Sequence, residues 1–369
     1  MRPADAAERA RLNDLFAELC AIPSPYGSEA ACRDRVAVEL RAAGLDASVD
    51  DAGNLLARIA GPDGARTILL CAHLDTVPHD GGIRPVCEDG VWRNALPHSI
   101  LGADNKAAVA GLLLVAHRAA SEPPPVGVEL LFTVGEENAL EGAKAFDVSA
   151  LRSEYGYVFD HATPIGEVVV ASPTYHRIVA DFHGASAHAG IRPEDGRSAI
   201  AAAAKALAAM PLGRLDDETT ANAGTIHGGT GINVVPERCR VELEARSLDE
   251  QRVEAVVTEM VDHLQDGANA EHCDLDVTVS KLFTGYRVAP DAPALRAAEA
   301  ALAARGHRPR RIVTGGGADA NALVAAGLPC VCLANGTEAN HQPDERVSVW
   351  ALEAMLDVTF ALLAECAAF

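Results

Sequence analysis

The sequence predicts an α/β fold, a mostly parallel mixed sheet flanked by helices, interrupted by an inserted ferredoxin-like α+β segment. Two observations carry this. Short apolar runs without polar alternation recur at 66–75, 126–137, 156–160 and 328–336, separated by helix-patterned stretches such as 104–120. Such runs suit strands covered on both faces, as in a parallel sheet with helices between its strands. Between about 174 and 287 the texture changes to strand 176–183, helix 197–210, strands 223–228 and 238–246, helix 249–266 and strand 274–281, a βαββαβ order. The simplest division is a discontinuous domain of 1–173 and 288–369 with 174–287 inserted. A chain of 369 residues has room for both.

Leu12, Leu15, Phe16 and Leu19 recur at helical spacing near the start, and a second helix is expected from Ser28 to just before Gly44. Pro123–Pro125 separates the 104–120 helix from the next strand, and 290–306 resumes a helical pattern before a closing strand and helix. The formal net charge is −21, from 52 acidic and 31 basic residues, so the surface repels nucleic acid and anionic lipid. Nine cysteines, odd in number and irregularly spaced, suit free thiols in a reducing compartment. Cys330 and Cys332 alternate on one predicted strand and share a face, which fits core cysteines or a metal pair. The N-terminal segment is charged, without an apolar run, and no stretch approaches a membrane span, so a cytoplasmic protein without membrane contact is expected.

Ligands of open α/β sheets collect beyond the carboxyl ends of the strands. There the sequence places His73 and Asp75 after the first run, Glu136 and Glu137 after the second, Asp160 at the end of the third and His341 after the fourth. Asp104 stands where an irregular segment enters a helix. Each has an ordinary alternative: a surface histidine, a solvated acidic pair, an N-cap aspartate. Their joint occurrence at one rim points to metal ligation.

The motifs His-Leu-Asp-Thr-Val-Pro (73–78), Leu-Gly-Ala-Asp-Asn-Lys-Ala (101–107), Gly-Glu-Glu (135–137) and the Asp160 strand end resemble, in order and spacing, the zinc aminoacylase/carboxypeptidase family that includes peptidase T, acetylornithine deacetylase and succinyl-diaminopimelate desuccinylase. The resemblance runs from residue 22 to 345, and Gly-Gly-Gly-Ala-Asp-Ala-Asn (315–321) is most similar to the peptidase T-like branch. It implies two zinc ions, replaceable by cobalt or manganese: His73, Asp104 and Asp160 for one, Asp104, Glu137 and His341 for the other. It implies Asp75 as the residue orienting His73, a cis peptide after Asp104, and Glu136 as general base on a metal-bridging hydroxide that attacks a peptide carbonyl. His188 would assist the oxyanion, and Asn233, Arg246 and Gly315, Gly316 and Gly317 would bind the free C-terminal carboxylate of a short peptide. Read without the resemblance, these are a loop histidine, a turn asparagine, a sheet-face arginine and a tight turn. The insertion would serve as lid and dimerisation domain of a homodimer, with His188 reaching the partner's site. The activity implied is that of a tripeptide aminopeptidase; an N-acyl-amino-acid deacylase or carboxypeptidase would use the same metals, and a non-catalytic relative would lack turnover. Ala108 stands where relatives often have glycine, and His161 follows Asp160 where a small or acidic residue is usual; His161 would either perturb the site or bond nearby. His79 fits a loop role.

Overall fold

The computed structural model describes residues 1–369. The chain divides into two compact units, Met1–Ala171 with Arg287–Phe369, and Ser172–Tyr286. Helices α1 (Ala6–Cys20) and α2 (Ala30–Ala42) precede strands β1 (Ala47–Val49), β2 (Leu55–Ile59) and β3 (Thr67–His73). The hairpin β4 (Pro85–Glu88) and β5 (Val91–Asn94) leads to α3 (Ala103–Ala119), β6 (Gly127–Thr133), α4 (Glu141–Ala145), β7 (Tyr155–His161) and β8 (Glu167–Ser172). The second unit contains β9 (Thr174–His183), α5 (Ala199–Ala209), β10 (Gly213–Asp216), β11 (Thr219–Gly228), β12 (Arg238–Ser247), α6 (Glu250–Ala270) and β13 (Asp274–Phe283). The chain returns through β14 (Tyr286–Arg287), α7 (Pro293–Ala304), β15 (Arg310–Val313), α8 (Asp319–Ala325), β16 (Cys330–Ala334), β17 (Thr337–Glu338), β18 (Arg346–Ser348) and α9 (Val349–Glu365).

The large sheet runs β1-β2-β6-β3-β7-β16-β8-β14, with β15 beside β8. Strands β6, β3, β7 and β16 are mutually parallel, whereas β2 and β8 run antiparallel to their neighbours β6 and β16. The carboxyl ends of four adjacent strands therefore share one edge. β6 is buried along its whole length and β3 from Ile68 onward, which explains their unbroken apolar sequence. Helix α3 is buried on almost every side, packed among α1, α9 and β3. Cys330 and Cys332 lie buried on β16 among the core residues, and no disulfide forms.

In the second unit the antiparallel order β10-β11-β12-β9-β13 reduces, without β10, to the ferredoxin-like arrangement. Ile178, Ala180 and Phe182 of β9 and Val241, Leu243 and Ala245 of β12 form a core with Ala199, Ala202, Ala203 and Ala206 of α5 and Val253, Val256 and Met260 of α6. No helix of the chain is long and apolar enough to cross a membrane.

Several elements depart from the sequence expectation. The second helix begins at Ala30 rather than Ser28, because Ser28 closes a turn onto Pro25 and the Glu29 carboxylate accepts from Gly27 and Gly135 amides. Strand β11 starts at Thr219 and forms a hairpin with the unforeseen β10. The small sheet β17-β18-β5-β4 was also unforeseen, since its short, half-exposed strands carry no apolar run.

Helices α5 and α6 meet at Gly267, where an added Cβ would lie 2.5 Å from the Ala202 carbonyl oxygen and 2.7 Å from Ala206 Cβ. Alanine normally gains about 1 kcal/mol over glycine inside a helix. Overpacking at this contact costs about 1–3 kcal/mol, so Gly267→Ala should lower rather than raise the urea midpoint; an increase would show that the helices separate freely.

Candidate functional site

The parallel strand ends set the site. His73 is the last residue of β3, Asp160 the penultimate residue of β7, and Glu136 and Glu137 follow β6 after a short turn. His341 lies in the loop between β17 and β18, just beyond β16, and Asp104 opens α3. Asp104 is the hub: its Oδ1 is 3.2 Å from His73 Nε2 and its Oδ2 3.3 Å from His341 Nε2. His73 Nε2 is 3.5 Å from Asp160 Oδ1, and His341 Nε2 is 2.9 Å from Glu137 Oε1. Three groups are compact enough to hold an ion: His73, Asp104 and Asp160; Asp104, Glu137 and His341; and His73, Glu136 and Glu137. The first two share Asp104.

Asp104 is not the N-cap that an aspartate before a helix often is. Gly102 occupies that place in the left-handed region, at φ 74°, while Asp104 itself has φ −81° and ψ 105° and is joined to Asn105 by a cis peptide. Glycine is well suited to that φ. His341 also sits in the left-handed region, at φ 66°, which costs energy for a residue with a Cβ and is met most often at functional loops.

The donor set fits divalent cations. His73 Nδ1 faces the Asp75 carbonyl oxygen at 3.1 Å, so the proton belongs on Nδ1 and the bare Nε2 lone pair points at two carboxylates. Burial opposes a charged ring, but the Asp160 charge and the bond to Asp104 raise His73 well above the usual imidazole range, so without a cation the ring itself takes up a proton. Glu137 Oε1 is buried and faces His341 Nε2 at 2.9 Å. Burial pushes the Asp160 carboxyl up to about 8, against the pull of His73 and with the help of Asp104. Burial, then the Asp160 charge, raises Glu136 well above the usual carboxylate range. Hydrogen bonds donated by its ring to Asp104 and then Glu137 raise His341 to about 10. The His341 shift reports the carboxylates that face it, whereas those of Asp160 and Glu136 report burial first and neighbouring charge second.

Side-chain acceptors hold the backbone beneath these groups. Four successive amides after β6 each have one: Val134 N donates to Asn54 Oδ1 (3.1 Å), Gly135 N to Glu29 Oε1 (3.1 Å), Glu136 N to Asp75 Oδ1 (3.1 Å) and Glu137 N to Asp75 Oδ2 (2.9 Å). The Asp75 carboxylate thus chiefly fixes the Glu136–Glu137 turn. It is farther from the His73 ring, at 3.4 Å, than the Asp75 carbonyl is. Asn340 Nδ2 donates to Asp104 Oδ2 at 2.8 Å. Glu29, Asn54 and Asn340 were not legible as site residues, because accepting or donating to distant groups leaves no spacing pattern. Asp319 was also missed: it is buried, accepts from Thr133 Oγ1, and burial first, opposed by that bond, lifts it to about 6.

The residues considered for substrate are exposed or half-exposed. In the second unit His188 bridges to Val234, and Ala189 N donates to the Asn233 carbonyl at 2.9 Å, so His188 and Asn233 lie on adjoining loops. Arg246 on β12 stacks on the Tyr175 ring at 4.0 Å and pairs with Glu244 at 3.0 Å. Gly315, Gly316 and Gly317 precede α8 outside the left-handed region, and Gly316 N donates to Thr314 Oγ1. His79 pairs with Ser99 Oγ at 3.2 Å. Burial lowers the pKa of His161, favouring a neutral ring.

Residues 174–272 match the model described as a peptidase dimerisation domain, and 54–162 match that of peptidase family M28. The protein YqjE of Bacillus subtilis is 35% identical over 97% of this chain and 98% of its own length. Aminopeptidase PepT from Bacillus cereus is 36% identical, with a TM-score of 0.88 over 97% of this chain and 99% of that one. A tripeptidase from Staphylococcus aureus is 31% identical, with a TM-score of 0.93 over 98% and 99%. Fold and site together make this protein a metallopeptidase, a hydrolase of peptide or amide bonds. The chain belongs to the M20 peptidase family, among homologues of peptidase T.

Asp75→Ala would leave the Glu136 and Glu137 amides without their acceptors. Loss of such a supporting partner typically costs about 10–100-fold in metal affinity. Competition against a chelator should show that loss, and unchanged affinity would show that the turn holds without Asp75.

Proposed function

We propose that this protein is a tripeptide aminopeptidase that uses two zinc ions to cleave short peptides bearing a free C-terminal carboxylate. The observation that carries the reading is Asp104, whose two oxygens each face one imidazole and which belongs to two of the candidate ligand groups. His73, Asp104 and Asp160 would hold one ion, and Asp104, Glu137 and His341 the other. Three protein ligands per ion leave each a position open. Two imidazoles with three carboxylates suit zinc, and cobalt or manganese would substitute. Bound there, the ions would polarise the scissile carbonyl and make a water acidic enough to deprotonate near neutral pH.

Glu136 belongs to neither Asp104-containing group and lies within reach of both His73 and Glu137. Its carboxylate would take the proton from the attacking water and return it to the leaving amine. His188 would donate to the developing oxyanion. Arg246, Asn233 and the Gly315–Gly317 amides would bind the substrate carboxylate, Arg246 by a charge-assisted fork. The identity to an aminopeptidase and a tripeptidase, over nearly the whole of each chain, supports the short-peptide substrate. The dimerisation-domain match supports a homodimer formed through the second unit; in that dimer His188 would reach the partner's site.

Glu136→Gln should retain two zinc ions while turnover falls by about 10²–10⁴-fold. Glu137→Gln should lose or weaken one ion. Metal analysis beside steady-state kinetics separates the two, and equal metal content with equal activity would contradict both assignments.

Substrate class is read from products. Ala-Gly-Leu should give free alanine and Gly-Leu, whereas an N-acetyl amino acid should survive; the reverse would identify a deacylase, and free leucine with Ala-Gly a carboxypeptidase. Amidation of the tripeptide's carboxyl end, or Arg246→Ala, should each lower kcat/KM by about 10–150-fold, the worth of a hydrogen bond to a charged group. An amide cleaved as fast as the acid would rule out carboxylate recognition.

A further inference from the structure

Glu345 is almost completely buried, 1% exposed, four residues after His341. Its carboxylate accepts three main-chain amides of the segment entering α3: Leu101 N (2.9 Å) and Gly102 N (2.7 Å) at Oε2, and Asp104 N (2.9 Å) at Oε1. A solvated loop does not need a buried carboxylate at its base. Burying one costs several kcal/mol unless its oxygens are bonded, so the arrangement has to supply something in return. What it joins is specific: the loop carrying His341 and the segment carrying Asp104. Asn340 adds a second tether between the same two pieces, Nδ2 to Asp104 Oδ2.

The two candidate ion sites differ in how they are supported. His73 and Asp160 stand at the ends of the adjacent parallel strands β3 and β7, two residues beyond their last paired positions, Cys71 and Val158. His341 stands instead in the turn that joins the short antiparallel strands β17 and β18. Its side chain is 48% exposed, its backbone is left-handed, and its own turn is closed by Gln342 N to Ala339 O and Glu345 N to Gln342 O. Those turn bonds and the β17–β18 pairing shape the loop and hold its ends; the side-chain bonds that tie it directly to the Asp104 segment are those of Glu345 and Asn340.

We infer that Glu345 is a positioning residue for the ion held by Asp104, Glu137 and His341: it locks the His341 loop to the Asp104 segment and so sets the affinity of that ion selectively. The inference rests on the two-ion reading above. Glu345→Gln keeps the size but replaces one acceptor oxygen by a donor, so at least one of the three amides loses its partner. Glu345→Asp keeps the charge but shortens the reach.

The test is titration of the metal-free protein with Co²⁺, read by visible absorption and by chelator competition. Wild type should bind two ions. Glu345→Gln should bind the first within roughly threefold of wild type and the second at least about tenfold more weakly, with a one-cobalt spectrum matching that of His341→Ala. Glu345→Asp should fall between, and Glu338→Gln, at an exposed pair with Arg346, should behave as wild type. Hydrogen exchange of the metal-free wild type should show Leu101, Gly102 and Asp104 amides protected, a readout that stands even if the Gln variant does not fold. Two ions bound at wild-type affinity by Glu345→Gln, both sites lost in parallel with stability, or unprotected amides in the wild type would each overturn the positioning role. A wild type that binds fewer than two ions would overturn the two-ion reading and this inference together.

Discussion

Charge excess at the carboxyl rim of the sheet governs the rest of the structure. Asp104, Glu136, Glu137 and Asp160 are drawn largely out of water around only two imidazoles, one of which already points its proton-bearing nitrogen at a carbonyl. Two like charges 4 Å apart repel by about 4 kcal/mol at an effective dielectric near 20. Several such contacts together would be a severe cost to a protein of ordinary marginal stability. Divalent cations remove it and turn the same cluster into a source of binding energy. The raised pKa values of Asp160 and Glu136 come first from burial, with neighbouring carboxylates adding to it.

The fold answers this constraint at two levels. Parallel pairing of β6, β3, β7 and β16 brings four chain segments to one edge and fixes His73 and Asp160 on neighbouring strands. The remaining groups stand on irregular backbone, which a ladder cannot hold. There buried side chains take over: Asn54, Glu29 and Asp75 occupy the amides from Val134 to Glu137, and Glu345 those of Leu101, Gly102 and Asp104. Beneath His73, the buried Lys106 ammonium donates to Ser24 Oγ, which in turn donates to the Leu74 carbonyl. The reactive groups are thus placed by acceptors and donors that need not touch a substrate.

This division of labour explains what the sequence discloses. Core strands β3, β6, β7 and β16 are legible because burial on both faces demands unbroken apolar runs, and the polar residues at their ends stand out against those runs. The ferredoxin-like unit is legible because β9 and β12 alternate and α6 carries a clear apolar stripe. The strands β4, β5, β17 and β18 are not, since they are short and half-exposed. Neither is the supporting layer. Glu29 reads as a first-turn helix residue and Glu345 as one more acid in an acidic chain, because their partners are main-chain amides distant in sequence. Asp75 shows the same limit: its place beside His73 suggests an imidazole partner, 3.4 Å from Nδ1, but no spacing discloses that its carboxylate also accepts the Glu136 and Glu137 amides. In the 315–321 segment the glycines drew attention, while the buried group is Asp319.

The most direct test of the shared-ligand account is a crystal structure of the zinc-loaded protein with anomalous scattering recorded on both sides of the zinc edge. The account predicts two zinc peaks about 3.5–4 Å apart, one Asp104 oxygen on each, with His73 and His341 on opposite ions. A single peak, or two peaks with Asp104 bound to only one of them, would contradict it.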